Sequence, residues 1–318
     1  MTTSTPLHAP AAYPVFAPHS AYARSIAHLS TGVLLATLAI LVVVTALVTY
    51  CVYKFAEKPG VQPPNPIYGN TKLEVGYTVS FFIILGVILV FAIRSMSASD
   101  PAGTRSNTLL VVGHQWWWEV RYPGTGIITA NEIHIPVGED ERVGLTSADV
   151  IHDFWVPELG RKMDIIPGVE NSIWLAADTP GAYLGSCAEY CGIEHAWMRI
   201  RIIAQTPPDF AEWEAAQESV PATPPAGLAA QGAQYFQRLS CASCHAIRGT
   251  AANATVGPDL THVASRETLA AGRLINTAEN LADWLHEPEL IKPGCKMPNL
   301  HLTGEQQNAL VAYLETLR

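Results

Sequence analysis

Two strings of residues carry the chemistry of this 318-residue chain. The first is Cys187-Ala188-Glu189-Tyr190-Cys191-Gly192-Ile193-Glu194-His195-Ala196-Trp197-Met198, in which two thiols, an imidazole and a thioether follow at spacings of four, four and three. Soft or borderline copper takes such donors, whereas magnesium and calcium take oxygen. A further imidazole stands 35 residues upstream at His152, in another loop. Zinc on two Cys and two His, or a disulfide between Cys187 and Cys191, are the competing readings. Zinc leaves Met198 without a role, and a disulfide leaves both histidines and the methionine unexplained. The donor set points to copper, with the number of ions open.

The second string, Cys241-Ala242-Ser243-Cys244-His245, supplies two thiols for thioether bonds to a haem and an imidazole for its iron. A methionine is expected as the other axial ligand, since Met with His raises the iron potential. Met297, in Lys292-Pro293-Gly294-Cys295-Lys296-Met297-Pro298, is the methionine of this region, with the Cys295 thiol as a competitor. His262 and Arg266 are candidate partners of the haem propionates. Cys51 and Cys295 lie outside both strings and on elements that cannot meet, so no disulfide framework is expected.

Several elements must position these groups. Residues 106–205 read as an all-β domain, a small antiparallel sandwich or barrel: β-branched and aromatic runs alternate with Gly, Pro and Asp, and Met198, Ile200 and Ile202 alternate with Arg199 and Arg201. Residues 206–227 read as a linker, with a short helical stretch from Asp209 to Ser219 before a Pro-rich run. Residues 228–318 read as all-α, with Gly232, Tyr235, Phe236 and Leu239 at helical spacing and Thr303 and Gln306 placed as a capping box.

After an N-terminal leader, 1–28, a transmembrane hairpin is expected over 29–95, because no charge occurs from Leu29 to Tyr53 or from Val75 to Ile93. At about 1.5 Å per residue each run crosses a hydrocarbon core of roughly 30 Å. A cleaved secretory signal would have a shorter apolar region. Lys54, Lys58 and Lys72 place the inter-helix loop in the cytoplasm and both termini outside. The net charge of −9 is concentrated in residues 106–220, which carry −11, so an acidic surface that could steer a basic protein is expected and nucleic acid is not.

The string Cys187–Met198, His152, Gly113-His114-Gln115-Trp116-Trp117-Trp118 and Arg161-Lys162-Met163-Asp164-Ile165-Ile166-Pro167-Gly168 closely resemble subunit II of haem-copper cytochrome c oxidases, over about residues 25–205. The resemblance implies a cupredoxin-like domain with a dinuclear copper A centre. Cys187 and Cys191 would bridge the ions, His152 and His195 would be terminal ligands, Met198 the weak thioether, and Glu189 a ligand through its carbonyl. The Glu189 side chain would bind magnesium at the contact with subunit I, Trp116 would be the electron-entry residue, and Glu74 would stand at the mouth of a proton path. Tyr77 where tryptophan is common, and Glu119-Val120 after the aromatic cluster, depart from the family pattern.

Residues 228–318, with Gly257-Pro258-Asp259-Leu260, resemble class I cytochromes c. The combination resembles the caa-type oxidases. It implies that electrons from cytochrome c or another donor protein pass from covalent haem c to copper A and then to subunit I for dioxygen reduction coupled to proton translocation. Subunit III is a further expected partner, and the bacterial inner membrane, with both redox domains periplasmic, the expected location. The linker is expected to set the effective concentration of haem at copper. A copper-A nitric oxide reductase subunit and a membrane-anchored electron shuttle are the alternatives.

Overall fold

The computed structural model describes residues 13–56, 59, 60, 66, 68–100 and 106–318. Lys58 and the first twelve residues of the leader lie outside them. Two long helices, α1 (Ala21–Lys54) and α2 (Thr71–Ser99), are each long and apolar enough to cross a membrane. Along them large apolar side chains such as Leu38, Val43, Phe82 and Leu89 are exposed, as a lipid-facing helix requires. α1 starts at Ala21, eight residues before the expected span, because Ser20 accepts the Ala23 N–H (2.9 Å) and supplies the missing cap. Asn70 does the same for α2, accepting from Leu73 N.

Ten strands form the next module: β1 (Leu109–His114), β2 (Trp117–Tyr122), β3 (Ile127–Ala130), β4 (Glu132–Pro136), β5 (Glu141–Ser147), β6 (His152–Trp155), β7 (Met163–Ile165), β8 (Asn171–Leu175), β9 (Gly181–Cys187) and β10 (Arg199–Gln205). They make two five-stranded sheets, ordered β3-β2-β1-β5-β8 and β4-β10-β9-β6-β7. Trp118, Phe154, Leu145, Ile133 and Ile135 fill the space between them. The alternation read in β10 holds, with Met198, Ile200 and Ile202 in this core. The sandwich is mixed, not purely antiparallel: β1 pairs parallel with β5, and β4 with β10. The chain leaves β3 for β4 on the opposite sheet, so β5 returns beside β1 in the same direction.

The first half of the expected linker is α3 (Pro207–Glu218), capped by Thr206 and seated on the sandwich through Phe210 and Trp213. Trp213 stacks on His134 with centroids 4.1 Å apart. The last module contains α4 (Leu228–Arg238), a two-residue pairing of β11 (Thr268–Leu269) with β12 (Leu274–Ile275), α5 (Ala278–His286), α6 (Pro288–Ile291) and α7 (Gly304–Leu314). The Thr303–Gln306 capping box opens α7 with both reciprocal hydrogen bonds. α4 and α7 pack closely at Gly232, where an added Cβ would lie 1.9 Å from the Ala309 carbonyl oxygen.

Two outcomes follow from this packing. Gly232→Ala forces α4 off α7 and should cost about 1–3 kcal/mol, the usual scale of overpacking, read as a lowered denaturation midpoint of the C-terminal module. Burial pushes His134 down to about 4, while its Nδ1–H bond to Gln205 Oε1 (2.8 Å) partly opposes the shift. Its folded value lies below the unfolded one of about 6.5, so its contribution is present above that value and is lost as pH falls toward 4. Tryptophan-detected melts of His134→Gln should lack this part of the acid sensitivity.

Candidate copper and haem sites

The register of β6 against β9 sets Phe154 opposite Cys187, which brings His152 and Cys187 to one end of the sandwich. From Cys187 the chain loops through Cys191 and a short 3-10 turn, His195–Trp197, before entering β10, and a Cys187 N–H bond to Met198 O (3.0 Å) closes that loop. Six donor atoms converge inside it. Cys187 Sγ lies 3.7 Å from Cys191 Sγ, 4.0 Å from His152 Nδ1 and 3.2 Å from the Glu189 carbonyl oxygen. Cys191 Sγ lies 3.6 Å from His195 Nδ1 and 3.8 Å from Met198 Sδ. A disulfide has sulfurs about 2.05 Å apart, and the two thiols are free.

His152, Cys187 and Cys191 are buried and offer ligand atoms all within 4.8 Å of one another. The neighbouring Cys191 thiol holds Cys187 well below the usual thiol range. A thiolate beside it pushes Cys191 up, so the pair gives up its first proton readily and holds the second. A cation between the sulfurs removes that penalty. Three sulfurs, two imidazoles and a carbonyl fit copper by donor type, and the room they leave is enforced by tight packing: a Cβ on Gly113 would lie 2.8 Å from His152 Cδ2.

An outer layer fixes these groups. His152 Nε2 donates to Asp149 Oδ1 (2.8 Å), leaving Nδ1 as the atom that faces Cys187. Asp149 also accepts the Gln115 and Val150 N–H groups. Burial would raise the Asp149 carboxyl, but His152 and these donors outweigh it and hold it below the usual range. Gln115 Nε2 (2.8 Å) and Trp116 Nε1 (3.0 Å) both donate to the Cys191 carbonyl. Asp149 escaped sequence reading because an Asp three residues before a histidine is common and becomes meaningful only once the ring is seen to turn toward it.

In the C-terminal module, Cys241–Ser243 form a 3-10 turn that leads into His245. His245 Nδ1 donates to the Pro258 carbonyl (2.7 Å), which leaves Nε2 for a metal. Burial lowers the pKa of His245 and favours the neutral, ligating ring. Gly257 lies flat against it, and a Cβ there would be 2.6 Å from His245 Cε1. Cys244, His245, Gly257, Leu281 and Met297 share an apolar cavity, and Cys241 is packed against the core of the same module, so the residues present fit a haem. The Cys295 thiol donates to the Met297 carbonyl (3.6 Å). Arg266 lines the same cavity, whereas His262 is buried and its Nε2 is spent on Ser219 O (3.1 Å).

Of the other expected residues, Glu74 sits apart, while Glu189 and Trp116 border the cluster. Glu189 has an exposed side chain at the rim of the sulfur cluster, its Oε1 accepting the Tyr190 N–H. Glu74 is exposed in the first turn of α2, where its Oε1 accepts the Asn70 N–H (3.0 Å). Trp116 is buried and touches the cluster through Cys191.

Residues 125–205 match the family model described as cytochrome C oxidase subunit II, periplasmic domain, and residues 229–318 match that of cytochrome c. Cytochrome c oxidase subunit 2 of Alkalihalophilus pseudofirmus is 38% identical over 285 residues, 87% of this chain and 82% of that protein. The Bacillus subtilis protein of the same name is 32% identical over 275 residues, 80% and 77% of the two chains. The solved periplasmic domain of cytochrome oxidase subunit II from Bradyrhizobium japonicum is 33% identical, covering 36% of this chain and 96% of that one, with a TM-score of 0.35.

Removing a group that orients a metal ligand generally costs 10–100-fold in metal affinity. Asp149→Ala should therefore weaken copper retention by about that factor in chelator competition, with the β-sheet circular dichroism unchanged.

Proposed function

Because the chain belongs to the cytochrome c oxidase subunit 2 family, with a cytochrome c domain fused at its C-terminus, we propose that it is the electron-entry subunit of a caa-type oxidase in a bacterial inner membrane. The observation that carries this reading is the convergence of the Cys187, Cys191, His152, His195, Met198 and Glu189 donors in one loop cluster. When bound, haem c and dinuclear copper A supply two successive one-electron centres, from which electrons leave for dioxygen reduction in subunit I.

The chain's own residues have distinct tasks in this reading. Copper A would be held by the Cys187 and Cys191 sulfurs, the His152 and His195 imidazoles, the Met198 thioether and the Glu189 carbonyl. Gln115 and Trp116 hold the Cys191 carbonyl in place, and the Trp116 indole is the aromatic group through which electrons enter the cluster. Cys241 and Cys244 would anchor haem c, and His245 and Met297 would hold its iron. The exposed Glu189 carboxylate holds a magnesium ion at the face toward subunit I. Glu74 serves the entrance of a proton path, and its place in the first turn of α2 also favours the helix dipole. Subunit III and a donor such as cytochrome c complete the partners, and the acidic surface of residues 106–220 favours a basic one. Both redox domains face the periplasm.

Spectroscopy of the purified chain is the test. A mixed-valence dinuclear copper signal and a low-spin haem c spectrum are expected; mononuclear copper or zinc overturns the copper-A assignment. Cys187→Ser should abolish the copper signal and spare the haem, and Met297→Leu should spare the copper signal while the still-attached haem loses its low-spin spectrum for a high-spin one. The purified complex should consume dioxygen, while consumption of nitric oxide in its place would sink the oxidase reading.

A further inference from the structure

Arg199 and Arg201 alternate with core residues on β10 and so belong on its outer face, yet Arg199 is only 8% exposed. The haem module covers it. Arg199 Nη1 donates to Gly272 O (3.4 Å), Arg201 pairs with Glu267, and the Arg273 guanidinium lies over the Trp197 ring, 3.8 Å from its centroid. Two charged groups are buried still more deeply here, each ending on backbone of the opposite module. Glu132 of the sandwich, 1% exposed, accepts the Glu267 N–H (2.9 Å), the Thr268 N–H (2.8 Å) and the Thr268 hydroxyl (2.5 Å). Lys292 of the haem module, 4% exposed, donates from Nζ to the Trp116 carbonyl (2.7 Å).

We propose that the haem module is a fixed cap over the aromatic entrance of the copper site, seated by Glu132 and Lys292 as reciprocal positioning residues, and does not swing on a tether. The inference rests on the function proposed above and concerns how its two centres are held. Three further observations carry it. The cavity at His245 and Met297 is closed on one side by Gln115, Trp116 and Trp117 of the sandwich, so a haem there meets the copper module directly. Beyond Lys292 the methionine loop presses on the same surface: Lys296 donates to Gln115 Oε1 (3.1 Å) and lies 5.7 Å from the Trp116 centroid, and a Cβ on Gly294 would be 2.7 Å from Ile193.

The connection is also pinned where it begins. Arg248 donates to the Gln217 and Glu218 carbonyls (both 2.9 Å), Gln217 Nε2 to Ser265 Oγ (3.0 Å), and His262 Nε2 to Ser219 O (3.1 Å). A segment held in this way does not set an effective concentration; the interface does. Burial raises the Glu132 carboxyl against the Thr268 and Glu267 donors, and lowers Lys292 to about 8 against the Glu194 carboxylate, so each charge depends on groups of the opposite module. Trp116 is thereby closed to an external donor, and electrons reach it through the haem module.

The test uses the full chain with both centres loaded. A ten-residue Gly/Ser insertion within 219–227 leaves the interface intact, so the rate of one-electron transfer from reduced haem to oxidised copper, and amide exchange at residues 267–268, should stay within about twofold. A tether would lose rate as the linker lengthens. Glu132→Gln and Lys292→Met should each speed exchange at 267–268 about tenfold and slow transfer, with the optical and copper signals of the separate centres unchanged; Lys292→Arg should recover part of the rate. A marked slowing caused by the insertion, or unchanged exchange in both substitutions, overturns the proposal. Exchange reads docking whether or not copper A is present, so a wild-type chain without the mixed-valence signal would defeat the proposed function and leave the cap to be decided by exchange alone.

Discussion

The pairing of β6 with β9 is the constraint on which the metal end of this molecule depends. Side chains alternate along a strand, so the register Phe154↔Cys187 decides which groups point to the core and which to the loop end. A slip of one residue would exchange His152 with Asp153 and leave a carboxylate where the imidazole faces the sulfurs. The sandwich core, from Trp118 to Ile202, buries one face of the strands and so opposes that slip. Everything outside the ligands then follows as support: Asp149 turns the His152 ring, Gln115 and Trp116 hold one carbonyl, and Gly113 leaves the ring its space.

The same end of the sandwich carries a second task, and the two are joined at Trp116. Its indole N–H holds Cys191, and its carbonyl receives Lys292 from the haem module. One residue thus links the Cys191 backbone to the loop that carries Met297. The contact between the modules is polar, built from buried charges that end on backbone groups, and this differs from the apolar packing inside each module. Buried charges add little net affinity compared with apolar groups, but they punish misplacement strongly. Such an interface defines geometry more than it defines strength.

Local sequence was enough for features whose physics is local. Charge-free runs long enough to span hydrocarbon, the alternation of β10, the Thr303–Gln306 box and the Cys-x-x-Cys-His string each depend on neighbours within a few positions. The donor set of Cys187, Cys191, His195 and Met198 was legible for the same reason, since one loop carries all four. His152 required two segments to meet: the donor chemistry singled it out as a further imidazole, and its place as a terminal ligand came from the family resemblance. The mixed pairing of the sheets, with β5 beside β1 and β10 beside β4, was not legible, because strand order is decided by which faces bury each other across the whole sandwich.

By itself, then, the sequence determined the kinds of centre, the membrane anchors and the chemical identity of most candidate ligands. Tertiary structure decided what surrounds them. Asp149, Glu132 and Lys292 are ordinary charged residues in the chain, and nothing in their immediate neighbours marks them. Their roles arise from atoms up to 176 positions away, as with Lys292 and Trp116. Arg199 reads as an exposed strand residue until another module covers it, and residues 219–227 read as a free linker until Arg248 and His262 bind the chain where it begins. Burial and partner choice are properties of the packed whole, so they appear only when the fold brings distant segments together.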